Sequence, residues 1–168
     1  MLRGFQDPDL FTLDKASPTA ARLGKTTLLA IAAVCNWTIL CGDVTAAFLS
    51  GVEFDREILV QLPKDCGPLL GCGGSSPVLM KMLKSAYGLA DAPLLWFREA
   101  TRRLQALGWT PQLLDKCTFG YYTPKTKMLD GILVLHVDDM LLAGDVSGDF
   151  GRVVAELRKK WWIAGEGG

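Results

Sequence analysis

The chain has 168 residues, is 49% hydrophobic and 21% charged, and balances 18 basic against 18 acidic side chains for a formal net charge of zero. That length suits one domain, and the composition can bury a real core, which excludes a disordered chain. Zero net charge gives no global attraction to nucleic acid, leaving only local patches for that purpose. No apolar run reaches the roughly 18 residues of a membrane span, and "MLRGFQDPDLF" has no signal-peptide h-region, so no membrane partner is expected. Cysteines 35, 41, 66, 72 and 117 form no CxxC pair, and there is one histidine. A closed zinc site is therefore disfavoured, and free, mostly buried thiols in a reducing compartment are expected.

In chain order, residues 1 to 21 read as an irregular lead-in rich in Asp, Pro, Ser and Thr. Residues 22 to 36, "RLGKTTLLAIAAVCN", read as a helix with an apolar centre, and 37 to 44, "WTILCGDV", as a buried strand. A strand over 57 to 63 is stopped by Pro63, a Gly/Pro/Ser-rich loop covers 64 to 77, and a short strand covers 78 to 83. Residues 91 to 107 carry Ala92, Leu95, Trp96, Ala100, Leu104 and Leu107 at helical spacing, with Gly108 as the stop. "TFGYY", 118 to 122, is a strand; "ILVLHV" and "MLLAG" form a hairpin around Asp138 and Asp139; residues 148 to 162 close with a helix. Helices and strands mix without strict βαβ alternation, which predicts an α+β fold with a largely antiparallel sheet.

Two motifs are discounted. Gly24-Lys25-Thr26 has the tail of a P-loop, but position 19 is threonine where the loop needs glycine, and no strand precedes it. "GCGGSS", 71 to 76, has serine where a dinucleotide fingerprint needs its third glycine.

The acid pair inside "ILVLHVDDMLLAGD" needs a reason, because buried carboxylates are costly unless compensated. It reads as a hairpin turn, as a structural pair bound by backbone N–H groups, or as a metal ligand set. The metal reading requires more oxygens than two residues supply. "TILCGDVTAAFLSG" offers another: Asp43 ends an apolar strand before a small-residue turn, where a helix N-cap is the simpler role. If the two strands are neighbours, three carboxylates converge at one sheet edge. Their repulsion would force protonation unless divalent cations neutralise it. Two Mg²⁺ ions roughly 3.5–4 Å apart are the phosphoryl-transfer solution to that problem.

Several blocks in order resemble the reverse transcriptase of copia-type retrotransposons. "GDVTAAFLSG" resembles D-V-x-T/A-A-F-L-x-G, and "LKSAYGLADAPLLWF" resembles L-x-x-A-L-Y-G-L-K-Q-A-P-R-x-W-Y. "LGWTPQLLDKCTF" resembles L-G-F-x-x-x-x-x-D-x-x-x-F, and "HVDDMLLAG" resembles Y-V-D-D-M-L-I-x-G. The helix "RLGKTTLLAIAAVCNWTI" and strand "EILVQLP" fall at matching places, so the likeness covers nearly the whole chain. It implies a single reverse transcriptase domain fragment over 1 to 168, with partial fingers over 1 to 36 and a palm-like part over 37 to 168. An antiparallel palm sheet would pack on helices, without a thumb.

The same resemblance implies an RNA-directed DNA polymerase with two Mg²⁺ (or Mn²⁺) ions. Asp43 and Asp138 would ligate the metals, Asp139 would complete the acid cluster, and the Val44 carbonyl would face a metal. Phe48 falls at the bulky gate against a ribose 2′-OH, although by itself it reads equally as a core phenylalanine. Tyr87 and Gly88 would lie beside nucleotide and template, and His136 stands where tyrosine is usual, near the primer end, as a side chain that can titrate. The implied partners are an RNA or DNA template with primer, deoxynucleoside triphosphates, and the rest of a retrotransposon polyprotein. The implied location is intracellular, in a cytoplasmic virus-like particle or the nucleus.

Departures from the pattern point the other way. Ala90 and Asp91 replace lysine and glutamine, which predicts an unfavourable negative charge beside a polyanion. Ala164 stands where lysine is common, with Lys159 and Lys160 as imperfect substitutes. The resemblance also predicts that upstream basic residues and a downstream thumb are missing, with Arg3, Arg22 and Lys25 left nearby, so that this chain alone extends a primer poorly. The alternative reading is a catalytically inactive remnant, or a nucleic-acid-binding module that keeps the fold.

Overall fold

A computed structural model describes residues 3–63, 66–71, 78–161 and 163–164. Its centre is the hairpin of β6 (Leu129–His136) and β7 (Asp139–Gly144), in which His136 pairs with Asp139 around the two-residue turn Val137-Asp138. On one side β6 pairs with β5 (Thr118–Tyr122), and β5 with β4 (Trp109–Pro111). On the other, β7 pairs with β1 (Thr38–Val44), and β1 with β8 (Ile163–Ala164). The resulting sheet, ordered β4-β5-β6-β7-β1-β8, is antiparallel throughout, and the fold is α+β as the element order predicted.

Helices cover both faces of the central strands. α3 (Ala92–Ala106) and α4 (Asp149–Lys160) bring Trp96, Ala100, Leu104, Phe150 and Leu157 onto Leu133, Leu135, Met140 and Leu142. α1 (Arg22–Cys35) packs Leu28 and Ala32 on Ile132, Val134 and Ala143. Two covered faces explain why "ILVLHV" is a continuous apolar run rather than an alternation. Gly131 and Gly144 face each other across β6 and β7, and the Phe150 ring occupies the space their Cβ atoms would need. Asp130 then accepts the Phe150 N–H at 2.9 Å, anchoring the start of α4 to the sheet.

Several boundaries move. The first helix stops at Cys35 because Asn36 takes the left-handed cap conformation (φ 53°) that asparagine tolerates. The strand read over 57 to 63 spans Glu53–Gln61 as β2 and pairs with β3 (Leu79–Lys84) in a separate two-stranded sheet. The last helix ends at Lys160, leaving Trp161 buried in the core. The sequence reading missed β4, β8, the one-turn helix α2 (Cys66–Leu69) and the 3₁₀ turns Gly4–Gln6 and Ala47–Ser50. All are two to four residues long, too short for a periodicity to register.

The described cysteines are free, but they are not mostly buried. Cys35 and Cys41 are exposed, Cys66 is intermediate and Cys117 alone of the four is buried. Burial pushes the Cys117 thiol up to about 11. Cys72, most of "GCGGSS", and the greater part of the loop read over 64 to 77 lie outside the described residues.

Candidate active site

The pairing of β1 with β7 places Asp43 directly opposite Asp139. Side chains of directly opposed residues share one face of a sheet, so these two carboxylates stand together at the end of the pair. Asp138 occupies the adjoining turn, and its backbone carbonyl accepts the Val44 N–H at 2.9 Å, locking the turn to the end of β1. Asp43 and Asp138 are half-buried and Asp139 is exposed. Partial burial raises the Asp43 carboxyl above its usual range, and the neighbouring carboxylates of Asp138 and then Asp139 push it further.

Among the described residues, no three His, Cys, Asp or Glu side chains are gathered tightly enough to form a ready metal site. The three aspartates are within electrostatic reach of one another without being drawn together. As a donor set they suit a hard divalent cation, since all supply carboxylate oxygen and none is soft. The repulsion acting on Asp43 is the interaction that such a cation relieves.

Backbone strain flanks the acids on both sides. Val137, the first residue of the turn, has φ 59°, and Ala46, three residues after Asp43, has φ 54°. Left-handed backbone at a β-branched residue is a genuine outlier and costs on the order of 1–3 kcal/mol. The buried Trp96 of α3 donates its indole N–H to the Val137 carbonyl at 2.6 Å.

Phe48 lies in the 3₁₀ turn that follows Ala46. The buried Ser85 hydroxyl donates to the Phe48 carbonyl at 2.6 Å, and Arg103 donates to the Ser50 carbonyl at 3.3 Å. The half-buried Phe48 ring meets Tyr87 edge-on, with centroids 4.7 Å apart. Tyr87 and Gly88 are the central residues of a turn closed by the Leu89 N–H donating to the Ala86 carbonyl at 3.2 Å. Gly88 has φ 104°, the type II position that favours glycine. His136 is half-buried beside the acid turn, opposite Asp139, and its Nδ1 is buried without a hydrogen-bond partner among the described residues.

Asp91 requires a correction. The sequence predicted a charge facing a polyanion, but its side chain is 8% exposed and pairs with Arg56 at 2.9 Å. Arg56 also binds Asp7 at 2.8 Å. The negative charge is therefore compensated and withdrawn from the surface. Only tertiary contact decided this, because Asp7, Arg56 and Asp91 lie on three separate segments.

Two further supports were not read from the sequence. Glu99 is buried and accepts from Arg102 and Arg103 at 2.6–2.7 Å, which holds its carboxyl down at about 2. Its i, i+4 spacing to Arg103 was an available signal. Asp115, in the "LGWTPQLLDKCTF" block, accepts from the Ala21 N–H, the Cys117 N–H and the Thr118 hydroxyl, seating the start of α1 on β5. The P-loop-like Gly24-Lys25-Thr26 is an ordinary first helical turn, with the Thr26 hydroxyl bonded back to Arg22 and Leu23. Lys159, at the end of α4, lies 3.6 Å from Glu156.

A sheet whose acid-bearing strands lie side by side, with this order of blocks, defines the class. Residues 2–165 match the family described as reverse transcriptase (RNA-dependent DNA polymerase), and the chain belongs to that family. It is 26% identical over 162 residues to a retrovirus-related Pol polyprotein from transposon TNT 1-94 of Nicotiana tabacum, a match covering 96% of this chain and 12% of that protein. It is 28% identical over 144 residues to the Pol polyprotein from transposon RE1 of Arabidopsis thaliana, covering 83% of this chain and 9% of that protein. The chain thus spans about a tenth of the length of these relatives. The family and these relatives accord with the copia-type resemblance read from the blocks.

Proposed function

We propose that this chain is the palm-like, catalytic part of an RNA-directed DNA polymerase within a retrotransposon polyprotein. The observation that carries it is the register of Asp43 opposite Asp139, with Asp138 in the adjoining turn. Asp43 and Asp138 would hold two divalent ions, Mg²⁺ or Mn²⁺, assisted by Asp139 and the Val44 carbonyl. When bound, such ions activate a primer 3′-hydroxyl and neutralise the triphosphate and leaving pyrophosphate. The protein's own share is positioning and charge. The sheet fixes the acid positions, Phe48 braced on Tyr87 walls the sugar side, and Gly88 allows close approach of template or nucleotide. His136 borders the primer end. The six-stranded sheet is the palm-like part and the leading segment belongs with the fingers. The action is placed inside the cell, in a virus-like particle or the nucleus.

The test is primer extension on an RNA template with deoxynucleoside triphosphates and Mn²⁺, using a polyprotein segment that contains this chain. Asp138→Ala should reduce extension roughly a hundredfold or more. Extension that survives Asp138→Ala and Asp43→Ala sinks the reading. Extension absent from the wild type as well favours a binding module that keeps the fold.

A further inference from the structure

The strained turn carrying Asp138 is held from behind by one side chain whose role the polymerase reading leaves unassigned. Val137 sits at φ 59°, at the first position of a two-residue hairpin turn, where glycine is the relaxed choice. A valine stays there only when its surroundings overdetermine it. Two hydrogen bonds do so. The Val44 N–H reaches the Asp138 carbonyl at 2.9 Å from the β1 side, and the Trp96 indole N–H reaches the Val137 carbonyl at 2.6 Å from the α3 side.

Trp96 has little freedom to do anything else. It is 1% exposed, its ring lies 5.6 Å from that of Trp161, and its helix neighbours Ala100 and Leu104 are fully buried in the same core. Its hydrogen bond is also not a generic consequence of burial. The indole nitrogens of Trp109 and Trp161, equally buried, have no partner among the described residues. Of the three buried indoles among the described residues, only that of Trp96 is partnered, and it is aimed at the acid turn.

We propose that Trp96 is a positioning residue for the metal-holding acids: by clamping the Val137 carbonyl it keeps the strained peptide, and with it Asp138, at the sheet edge beside Asp43 and Asp139. The proposal rests on the metal-binding part of the polymerase reading, which it deepens. It assigns Trp96 no contact with substrate.

The experiment uses this chain and Mn²⁺ alone, titrated by electron paramagnetic resonance, together with hydrogen exchange of the Val44 amide. Trp96→Phe keeps the aromatic bulk and removes the donor. It should weaken Mn²⁺ binding roughly tenfold, as loss of supporting contacts to ligands commonly does, and speed Val44 exchange by a similar factor. Val137→Gly, which adopts the turn without strain, should shrink the Trp96→Phe effect on Mn²⁺ to about twofold or less; a general loss of core packing would not be rescued in that way. Unchanged Mn²⁺ affinity and unchanged Val44 exchange in Trp96→Phe overturn the proposal. If the wild type itself binds no Mn²⁺, the metal reading fails, and Val44 exchange still decides whether Trp96 holds the turn. Should Trp96→Phe not fold, wild-type indole exchange decides: a Trp96 N–H exchanging as fast as those of Trp109 and Trp161 overturns the clamp.

Discussion

The two sheets of this protein are stabilised in opposite ways. The six-stranded sheet has apolar helices on both faces of its central strands, and its acid-bearing hairpin is buttressed by Trp96. The β2–β3 ribbon leaves most of its apolar side chains in water, with Leu59 at 56% and Leu83 at 64% exposed. An isolated two-stranded ribbon is marginal in water. The ion cluster of Arg56 with Asp7 and Asp91 ties this one to the leading segment and to the start of α3. The strained Val137 turn and the mutually repelling carboxylates stand at the end of this packed sheet, whose surroundings can hold them in place. The sparsely buried region instead pairs its charges.

The largest expected effect tests the first half of that contrast. Phe150→Ala empties the space over Gly131 and Gly144 and should cost about 3–5 kcal/mol, measured by urea denaturation. The loss should be global, with the amides of β1, β6 and β7 exchanging faster together. A loss confined to α4 would show that the sheet does not depend on this packing.

Next, Arg56→Met leaves two buried carboxylates without their cation. The expected cost is on the order of 2–3 kcal/mol, concentrated in β2, β3 and the leading segment by hydrogen exchange. Mn²⁺ binding should stay unchanged. A change in Mn²⁺ affinity would mean that the ribbon and the acid edge are coupled, and the two-region description would fail.

The smallest effect concerns the acid edge itself. Asp43 has its pKa raised above 3.8, so above that value the folded chain retains a proton that the unfolded chain releases. Stability therefore falls as pH rises through the window from 3.8 to the raised value, and the full cost is present at neutral pH. Asp43→Asn should make the metal-free chain slightly more stable at pH 7, with the advantage fading as pH drops towards 3.8. Thermal melts across that range check it; an Asp43→Asn variant less stable at pH 7 would show that the carboxylate is structurally satisfied instead.

Much of the site was legible before any coordinates. Apolar runs interrupted at Asp43 and at Asp138-Asp139 marked strand ends, because an apolar strand admits a carboxylate most cheaply where it stops, although β1 proves largely exposed along its length and only Val44 is buried. The ordered blocks supplied the family, and helical spacing located α3 with Trp96 on its apolar side. Asp91 was misjudged because the placement of its carboxylate depends on Arg56, a residue on β2 that no local pattern couples to it.

The sequence by itself determined the longer strands and helices, where the carboxylates interrupt them and which family they belong to, since these follow from period, composition and motif order along the chain. Only the tertiary structure decided that β7 lies between β6 and β1, so that Asp43 meets Asp139 in register. It alone showed that Val137 takes left-handed backbone and that Trp96 donates to its carbonyl. The physical reason is that strand order, backbone strain and long-range hydrogen bonds arise from how distant segments compete for one core. That competition leaves no periodic trace in any single segment.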